Sequence, residues 1–287
     1  MNRRTFVSLP AAALAAQASQ VSSFRFVHFT DTHIQPELRA QAGTEQAFAA
    51  INAEKPDLIL GGGDLVMDID ASTPARTKQL LDMYVAAKKG LQAPVYEVPG
   101  NHDVYGLHPT SAVSPRDPMY GKKMFEDRIG PRYRSIDHKG WHFILLDSIG
   151  AVGRKFFGEI DAAQVDWIKN DLAKVAPRTP IVVMTHIGLA TAAASLIGNH
   201  EAPGSWEVFN SVEVLGLFAK HNLKAVLQGH SHIRENITYK GCQFITSGAV
   251  SGNWWKGLRD GHPEGFGLLT VKGDQIEWEY KTYGWKA

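Results

Sequence analysis

The sequence predicts an α/β protein in which a largely parallel β-sheet is followed by a second, antiparallel one. Three observations lead to this fold class. Apolar runs of strand length end in polar residues, stretches with helical spacing lie between these runs, and the last third of the chain contains short strands with tight turns. Strands that alternate with helices form a parallel sheet whose carboxyl ends share one edge, and ligands of open α/β sheets bind at that edge.

The first element is an export leader over residues 1–18. Arg3 and Arg4 form a basic start without acidic residues, an apolar stretch rich in alanine follows, and Ala16-Gln17-Ala18 has the small-x-small pattern of a cleavage site. The apolar stretch is too short to span a bilayer. The adjacent arginines resemble a twin-arginine signal. The leader therefore predicts a mature protein in the periplasm or outside the cell.

Strands and helices then alternate up to residue 228. The predicted strands cover residues 25–30, 57–60, 94–98, 181–184 and 225–228. Helical spacing covers residues 44–54, 75–89, 162–175 and 212–221. Asp161 and Asn210 precede the last two helices, as capping residues do.

The rest of the chain predicts the antiparallel sheet and two long loops. Short strands are predicted at residues 234–239, 243–246, 266–271 and 275–283, with turns between them. Residues 104–131 and 189–205 interrupt the strand–helix pattern, and loops of this length in compact domains usually serve as lids or binding loops. No linker separates these parts, so we expect residues 24–287 to form a single domain.

The composition excludes several classes of protein. Of the 287 residues, 44% are hydrophobic, and 30 basic residues against 29 acidic ones give a net charge of +1. Loss of the two leader arginines leaves 28 against 29, a charge of −1. These values exclude a disordered chain and provide no basic surface for nucleic acid. Cys242 is the single cysteine, so it can form no internal disulfide. After the leader, no apolar run is long enough to span a membrane.

The predicted strands end in residues that can bind metal ions or transfer protons: Asp31, His33, Asp64, Asn101, His102, His186, His230 and His232. Carboxylate, imidazole and amide oxygen together suit zinc, manganese or iron, whereas a soft thiolate site would need more cysteines. One Asp can bridge two metals, as two-metal hydrolytic sites require. Two dications and two aspartates would leave a site charge of about +2, which attracts an anion.

The order of these residues resembles the five sequence blocks of the calcineurin-like metallophosphoesterase family. The blocks are Asp31-x-His33, Gly63-Asp64, Gly-Asn-His-Asp at 100–103, His186, and Gly-His-x-His at 229–232. The match spans residues 26–232, and a set of five blocks in this order is far more specific than any one block. The resemblance implies a four-layer sandwich of two mixed β-sheets flanked by helices, with a dinuclear metal site at the carboxyl ends of the strands.

The resemblance also implies a role for each residue. Asp31, His33 and His232 would hold one metal ion, Asn101, His186 and His230 a second, and Asp64 would bridge both. A hydroxide shared by two divalent or trivalent ions of Mn, Fe or Zn would attack the phosphorus of a small-molecule phosphoester. His102 would bind a phosphoryl oxygen or protonate the leaving alkoxide.

The motif pattern is closest to the class III cyclic nucleotide phosphodiesterase branch. Protein phosphatases of the family have an Asp three residues after the Gly-Asp block that orients the catalytic histidine, whereas this chain has Met67 there and Asp68 one residue later. Purple acid phosphatases have a metal-binding tyrosine in that block, which is absent here. We therefore expect hydrolysis of phosphoric esters, with a preference for phosphodiesters.

Three alternatives remain open at this stage. The same site could serve a phosphomonoesterase or a protein phosphatase. The chain could be a metal-stabilised binding protein without turnover, although the presence of His102 argues against this. Nucleotide binding without hydrolysis would rest on Gly61-Gly62-Gly63, which lacks the spacing of a phosphate-binding loop. The sequence leaves the oligomeric state open.

Substrate contacts are predicted outside the motifs. His108 and His200 lie in the two long loops and are candidates for touching the substrate. Trp254 is a third candidate, because Trp254 and Trp255 could form a stacking wall for a ring, or could instead close the second sheet. Arg116, Lys122 and Lys123 could reach a second anionic group, but a solvated loop explains them equally simply.

Overall fold

The computed structural model describes residues 23–196 and 205–287 of the chain. The predicted leader, residues 1–18, and the candidate substrate residue His200 lie outside the described residues. The described part forms four layers, because two large sheets pack face to face and helices cover both outer faces. This arrangement confirms the predicted α/β four-layer sandwich.

The elements follow one another closely along the chain. The strands are β1 (Ser23–Phe29), β2 (Leu58–Gly61), β3 (Val95–Glu97), β4 (Arg134–His138), β5 (Trp141–Leu145), β6 (Ile149–Val152), β7 (Lys155–Gly158), β8 (Pro180–Met184), β9 (Asn222–Gln228), β10 (Arg234–Tyr239), β11 (Cys242–Ser247), β12 (Gly265–Lys272) and β13 (Gln275–Thr282). The α-helices are α1 (Ala40–Ala53), α2 (Pro74–Lys88), α3 (Lys123–Arg128), α4 (Ala162–Leu172), α5 (Ala193–Leu196) and α6 (Ser211–Leu217). A 3-10 helix covers Asn101–Asp103.

Each large sheet has parallel strands at its centre, and antiparallel pairs extend the first sheet on one side and the second sheet on both sides. The first sheet has the strand order β13-β12-β1-β2-β3, in which β1, β2 and β3 are parallel. The second has the order β10-β11-β9-β8-β5-β4, in which β11, β9, β8 and β5 are parallel. The parallel strands of each sheet therefore end on the same edge, as the sequence pattern predicts.

The prediction that the C-terminal strands form their own antiparallel sheet is wrong. Strands β10 and β11 extend the second sheet beside β9, where Phe244 pairs with Val226. Strands β12 and β13 extend the first sheet beside β1, where Phe26 pairs with Leu269. Alternating apolar residues predict a strand with a buried face, but they do not specify the neighbouring strand.

Strands β4 to β7 are not among the predicted elements. Strands β4 and β5 form the far edge of the second sheet, whereas β6 and β7 pair as a separate hairpin. The hairpin is tied to the main body by a bridge between Gly158 and Val208. It matters for function because it carries Phe156 into the cavity described below.

Helix starts follow the predicted capping chemistry in one case and depart from it in another. The Asp161 carboxylate accepts a hydrogen bond from the backbone N–H of Gln164 at 2.9 Å, which confirms it as the N-cap of α4. Asn210 precedes α6 but makes no such bond, because its Oδ1 accepts a hydrogen bond from the backbone N–H of Ile160 at 3.1 Å instead.

The cores lie between the layers. Phe26 and Phe143, from facing strands of the two sheets, pack edge to face with ring centroids 5.4 Å apart. A second core packs α1 and α2 against the first sheet, and a third packs α4 and α6 against the second. Within the described residues, no helix is both long and apolar enough to cross a membrane.

Candidate active site and metal centre

The residues predicted to form the site meet where the carboxyl ends of both sheets come together. In the first sheet β1 leads into Asp31 and His33, and β2 leads into Asp64. In the second, β8 leads into His186, and β9 leads into His230 and His232. A cavity of 460 Å³ opens over this region, lined in part by Asn101, His102, His230 and His232. The site therefore draws on two sheet edges instead of the single edge that the strand pattern predicts.

Asp31, His33 and His232 form a first group of ligand atoms. Nε2 of His232 lies 3.2 Å from Oδ1 of Asp31 and 3.1 Å from Nε2 of His33. Nε2 of His33 lies 3.8 Å from the same Asp31 oxygen. All three side chains are buried, and their ligand atoms lie within 4.8 Å of one another, so the group could hold one metal ion.

Asp64, His186 and His230 form a second group that meets the same distance limit. Nε2 of His186 lies 3.3 Å from Oδ2 of Asp64 and 3.2 Å from Oδ1 of Asn101. The rings of His186 and His230 meet edge to face, with centroids 5.2 Å apart. Asn101 thus adds an amide oxygen to this second group.

One oxygen of Asp64 connects the two groups. Oδ2 lies 3.5 Å from Nε2 of His33 and 3.3 Å from Nε2 of His186. The other oxygen, Oδ1, accepts a hydrogen bond from the backbone N–H of His102 at 2.9 Å. The carboxylate is therefore held in position through Oδ1, while Oδ2 faces both groups as a bridging ligand would.

Hydrogen bonds orient the imidazole rings. Nδ1 of His186 lies 2.8 Å from the carbonyl oxygen of Gly62, and Nδ1 of His232 lies 2.5 Å from that of Gly252. Each carbonyl can accept only from a protonated Nδ1, so Nε2 is the nitrogen of each ring that faces the ligand group. His230 uses its other nitrogen, because Nε2 contacts the carbonyl oxygen of Ser205 at 2.8 Å. The rings are thus oriented for ligation before any ion binds.

The backbone at the site is unusual, because five of these residues have positive φ angles: Asp31 (54°), His33 (43°), Asp64 (50°), His230 (69°) and His232 (62°). This left-handed conformation costs non-glycine residues about 1–3 kcal/mol each and is concentrated at functional sites in proteins. It turns the chain sharply at the strand ends, so that alternate side chains can point into one centre.

Close approach of the backbone explains two of the motif glycines. A Cβ atom at Gly100 would lie 2.1 Å from Oδ1 of Asp64, and one at Gly229 would lie 2.2 Å from Oγ1 of Thr30. Neither position has space for a side chain. The glycines before Asn101 and His230 therefore allow the loops to pack directly against the carboxylates.

The donor set fits a pair of metal ions. Oδ1 of Asp31, which faces both histidines of the first group, is buried and has no hydrogen-bond partner in the described part of the chain. Burial lowers the pKa of His33 to about 4, so its imidazole is neutral near pH 7, as a ligand must be. Burial opposes the charge on His186, but the Asp64 carboxylate outweighs this and raises its pKa to about 9. Binding of a cation would therefore displace a proton from His186.

His102 lies beside the metal-ligand groups and is partly open to the cavity. Its ring meets the ring of His33 edge to face, with centroids 4.9 Å apart. Its Nδ1 lies 3.7 Å from Oδ1 of the buried Asp70, and its side chain is 25% exposed. Burial opposes its charge, but the carboxylates of Asp64, Asp70 and Asp103 together raise its pKa. His102 is therefore a candidate proton donor that reaches the solvent side of the site.

Asp103 fixes the loop that carries His102. Its carboxylate accepts hydrogen bonds from the backbone N–H groups of Leu65, Val66 and Gly100 at 2.9–3.2 Å. Burial, together with the nearby Asp64, raises its pKa to about 7. Asp103 thus joins the turn after β2 to the 3-10 helix, and it explains why Asp follows His102 in the motif.

Three aromatic side chains line the cavity next to the metal-ligand groups. The Trp254 ring lies 4.7 Å from the ring of His232, and the rings of Trp206 and Phe156 lie 5.6 Å and 5.8 Å from that of His230. His108 also lines the cavity. The structure thus brings His108 and Trp254, two of the three predicted substrate contacts, to the site.

Trp254 and Trp255 have different roles. Trp255 is buried, and its Nε1 donates to the carbonyl oxygens of Thr32 and His33 at 3.1 and 3.0 Å. Its ring fills the space where Gly43 of α1 lacks a side chain. Trp255 therefore packs in the core of the first sheet, whereas Trp254 faces the cavity. Each of the two sequence interpretations applies to one of the tryptophans.

Similarity to known proteins agrees with this geometry. The family model of calcineurin-like phosphoesterases matches residues 24–234, and a model of the C-terminal part of calcineurin-like phosphoesterases matches residues 245–287. The chain belongs to the calcineurin-like phosphoesterase family. The predicted family is therefore confirmed.

Among relatives of this phosphoesterase, the 3',5'-cyclic adenosine monophosphate phosphodiesterase CpdA of Haemophilus influenzae is 29% identical, over 79% of this chain and 76% of that protein. A cAMP/cGMP dual specificity phosphodiesterase of Mycobacterium tuberculosis is 24% identical over 78% of this chain and 66% of that protein. A dimetal phosphatase from Danio rerio has the same fold, with a TM-score of 0.64 and 16% identity, covering 91% of this chain and 96% of that one.

The phosphoesterase cavity also contains residues that the sequence analysis missed: Asp70, Phe156, Trp206 and Arg259. None belongs to a motif block, and each reaches the cavity through the tertiary fold. Conversely, Arg116, Lys122 and Lys123 are not among its lining residues. Lys122 pairs instead with the buried Asp147 at 2.5 Å, and Lys123 pairs with Asp127.

Proposed function

We propose that this protein is a metal-dependent phosphodiesterase that hydrolyses small-molecule phosphodiesters, with cyclic nucleotides as the substrate class. The observation that carries the proposal is the position of Asp64, whose Oδ2 lies 3.5 Å and 3.3 Å from one histidine of each ligand group. A shared carboxylate is what a two-metal hydrolytic site requires. The names of the H. influenzae and M. tuberculosis relatives support the choice of substrate class.

The geometry supports the ligand sets that the family resemblance implies. Asp31, His33 and His232 hold one ion, Asn101, His186 and His230 hold the other, and Asp64 contributes to both. Carboxylate, imidazole and amide ligands suit manganese, iron or zinc. Bound ions of this kind supply Lewis acidity at the phosphoryl oxygens and lower the pKa of a water molecule that attacks phosphorus.

The protein's own contribution centres on His102. Because it lies beside the ligand groups and opens to the cavity, it can donate a proton to the leaving alkoxide or a hydrogen bond to a phosphoryl oxygen. Nearby carboxylates favour its protonated form, as a proton donor needs. The backbone bond from His102 to Asp64 couples the position of this donor to the metal ligands.

The cavity wall supports a diester over a monoester. Asp68 and Asp70 line it on the side of His102. A phosphodiester carries one negative charge near neutral pH, whereas a monoester carries close to two. These negative side chains offset part of the positive charge of the proposed dinuclear site and therefore disfavour the second charge of a monoester. The aromatic side chains of Phe156, Trp206 and Trp254 provide flat surfaces for a ring on the substrate.

The proposal can be tested with the purified full-length protein. After removal of metals with a chelator and reconstitution with manganese, we expect hydrolysis of bis(p-nitrophenyl) phosphate in preference to p-nitrophenyl phosphate. Conversion of 3',5'-cAMP or 3',5'-cGMP to the nucleoside monophosphate, followed by chromatography, tests the substrate class. A clear preference for the monoester would contradict the diesterase assignment. Turnover of glycerophosphodiesters without turnover of either cyclic nucleotide would contradict the substrate class.

We also propose that residues 1–18 direct export by a twin-arginine route to the periplasm or the medium. The support is the sequence itself, with Arg3 and Arg4 before an apolar stretch and a small-x-small site. A reporter fused to residues 1–24 should be exported, and replacement of both arginines by lysine should stop it. Retention of the fusion in the cytoplasm, or export unaffected by the lysines, would contradict the proposal.

A further inference from the structure

Arg259 lines the active-site cavity, although it belongs to none of the motif blocks. It begins a tight turn in which the backbone N–H of Arg259 donates to the carbonyl oxygen of His262 at 3.0 Å and that of His262 donates back at 2.8 Å. Asp260 and Gly261 occupy the turn with φ angles of 47° and 81°. Two central residues with positive φ form a type I′ turn, which fixes the backbone from which the Arg259 side chain extends.

The guanidinium group of Arg259 packs on the Trp254 ring. Its Cζ atom lies 5.2 Å from the ring centroid, a distance at which a cation and an aromatic ring attract each other. The Trp254 ring in turn lies 4.7 Å from the ring of His232. Arg259 is therefore one aromatic ring removed from the proposed metal ligands, where it would meet the organic part of a substrate.

Arg259 has an unused hydrogen-bond donor. Its buried Nε lies 3.2 Å from Oδ2 of the exposed Asp260 but makes no hydrogen bond within residues 23–196 and 205–287. Arg132 shows the contrast, because its Nη1 donates to both Asp147 and Asp161. A guanidinium with a free donor at a cavity wall can bind an acceptor on a ligand.

A second unused donor lies on the same wall. Nε1 of Trp254 is buried and has no acceptor within the described residues. Trp206 and Phe156, near His230, add flat apolar surfaces to the cavity. Two donors on one side of the cavity, next to aromatic surfaces, fit a planar ring whose edge carries hydrogen-bond acceptors.

We propose that Arg259 is a specificity-determining residue that binds the acceptor edge of a purine and favours guanine over adenine. Guanine presents two acceptors, O6 and N7, on one edge, and these match two N–H groups of a guanidinium, whereas adenine presents one acceptor and one donor there. The inference rests on the proposed function, because it assumes a phosphodiester that carries a base. It goes beyond that function by naming the base and the residue that selects it.

The test compares binding and turnover in the full-length, manganese-loaded protein. Isothermal titration calorimetry with GMP and AMP gives the binding preference, and kcat/KM for 3',5'-cGMP and 3',5'-cAMP gives the catalytic preference. We expect the wild-type protein to favour the guanine compound about tenfold in both measurements, as one bidentate contact would provide. Arg259→Met keeps the length of the side chain but removes its donors, and should bring both ratios close to one.

Two further variants define the origin of the effect. Arg259→Lys retains the charge but not the planar fork, so it should also lose the guanine preference. Arg234→Met is the matched control, because Arg234 packs on Tyr280, contacts the same turn through His262 and does not line the cavity. It should retain the wild-type ratios.

Three results would overturn the inference: no guanine preference in the wild-type protein, a preference that survives in Arg259→Met, or an equal loss of affinity for GMP and AMP. The last result would mean that Arg259 binds the phosphate instead of the base. Failure of the proposed function has a different signature. In that case the wild-type protein would hydrolyse neither bis(p-nitrophenyl) phosphate nor a cyclic nucleotide, while the ratio of GMP to AMP affinity would still report on Arg259.

Discussion

Nδ1 of His102 lies 3.7 Å from Oδ1 of Asp70, and both atoms are buried without a hydrogen-bond partner among the described residues. The distance is slightly too long for a hydrogen bond, but a small rotation of either side chain would close it. The Asp70 carboxyl is buried, which raises its pKa to about 6. An imidazolium at His102 would favour the ionised carboxylate. Asp70 is therefore placed to orient His102 and to stabilise its protonated form.

We expect Asp70→Asn to lower kcat about tenfold while KM changes little, because a general acid that is less well oriented transfers its proton less efficiently. The variant also removes one of the carboxylates that raise the pKa of His102. A proton donor is active below its pKa, so the alkaline limb of the pH–rate profile should move to lower pH. The measurement is kcat against pH with bis(p-nitrophenyl) phosphate.

Asp68→Asn is the matched control for this prediction. Asp68 lies two residues earlier in the same loop, and its Oδ1 accepts a hydrogen bond from Ser72 at 3.1 Å. The Asp68→Asn substitution should therefore leave the alkaline limb of the pH–rate profile at its wild-type pH. His102→Asn should lower kcat by roughly 10²- to 10⁴-fold, since it removes the proton donor itself. An alkaline limb that shifts with Asp68 and not with Asp70 would contradict the assignment.

The sequence predicts the cluster of candidate metal ligands but not Asp70. Asp31, Asp64 and His186 follow strands, and parallel strands end at a common edge, so their meeting is a consequence of topology. Asp70 lies in the loop between β2 and α2, whose path depends on tertiary contacts such as the bridge between Ile34 and Val66. Sequence distance from Asp64 is therefore a poor guide to which carboxylate faces His102.

The strand partners in the C-terminal third could not be predicted for a related physical reason. Phe26 pairs with Leu269 across more than two hundred residues, and nothing local in either strand selects that partner. The same reason applies to three cavity residues, because each enters the cavity from a segment whose placement is set by packing: Phe156, Trp206 and Arg259. Motif spacing predicts chemistry at strand ends, whereas cavity walls require the folded structure.

Substitution of Asp64 should reduce the metal content of the protein more than substitution of a ligand that belongs to one group only. We expect Asp64→Ala to weaken binding of both ions, since Oδ2 of Asp64 contacts both histidine groups. His232→Asn should affect one ion only, because His232 belongs to the first group. The measurement is the metal-to-protein ratio by elemental analysis after dialysis against manganese.

His221→Asn is a suitable control for the metal measurements. His221 precedes β9, at the opposite end of the strand from His230 and His232, so it should leave the metal ratio unchanged. Circular dichroism would establish that each variant is folded. Equal loss of metal in the Asp64 and His232 variants would contradict the division into two groups.

Gly43→Ala should destabilise the protein. A Cβ atom there would lie 2.1 Å from Cζ3 of Trp255, a buried ring that is held in place by two hydrogen bonds to the backbone of Thr32 and His33. Because the ring cannot move freely, we expect a loss of about 1–3 kcal/mol in the free energy of unfolding. Urea denaturation monitored by fluorescence measures this change in the free energy of unfolding.

Gly216→Ala should have the opposite effect on stability. Gly216 lies in α6, and no heavy atom lies within 4 Å of the Cβ position. Replacement of an unconstrained helical glycine by alanine should stabilise the protein by about 0.5–1 kcal/mol. If Gly43→Ala did not lower the free energy of unfolding, the close packing of Trp255 against α1 would be contradicted.

Stability in acid should depend on His28. This side chain is fully buried between the sheets, where Nδ1 contacts the Ser247 hydroxyl at 2.9 Å and Nε2 has no partner among the described residues. Burial lowers its pKa from 6.5 to about 3. Between these two values the unfolded chain binds one more proton at this site than the folded chain does. His28 therefore contributes a loss of stability as pH falls from 6.5 towards 3.

We expect this contribution to be about 1.4 kcal/mol per pH unit, the value for a difference of one bound proton. His28→Asn retains a polar side chain that cannot titrate, so its free energy of unfolding should fall less steeply than that of the wild-type protein between pH 6 and pH 4. Denaturation in the presence of a chelator removes the contribution of bound metals, and the comparison of the two proteins cancels the remaining histidines. Parallel pH profiles for both proteins would mean that His28 is not held neutral in the folded state.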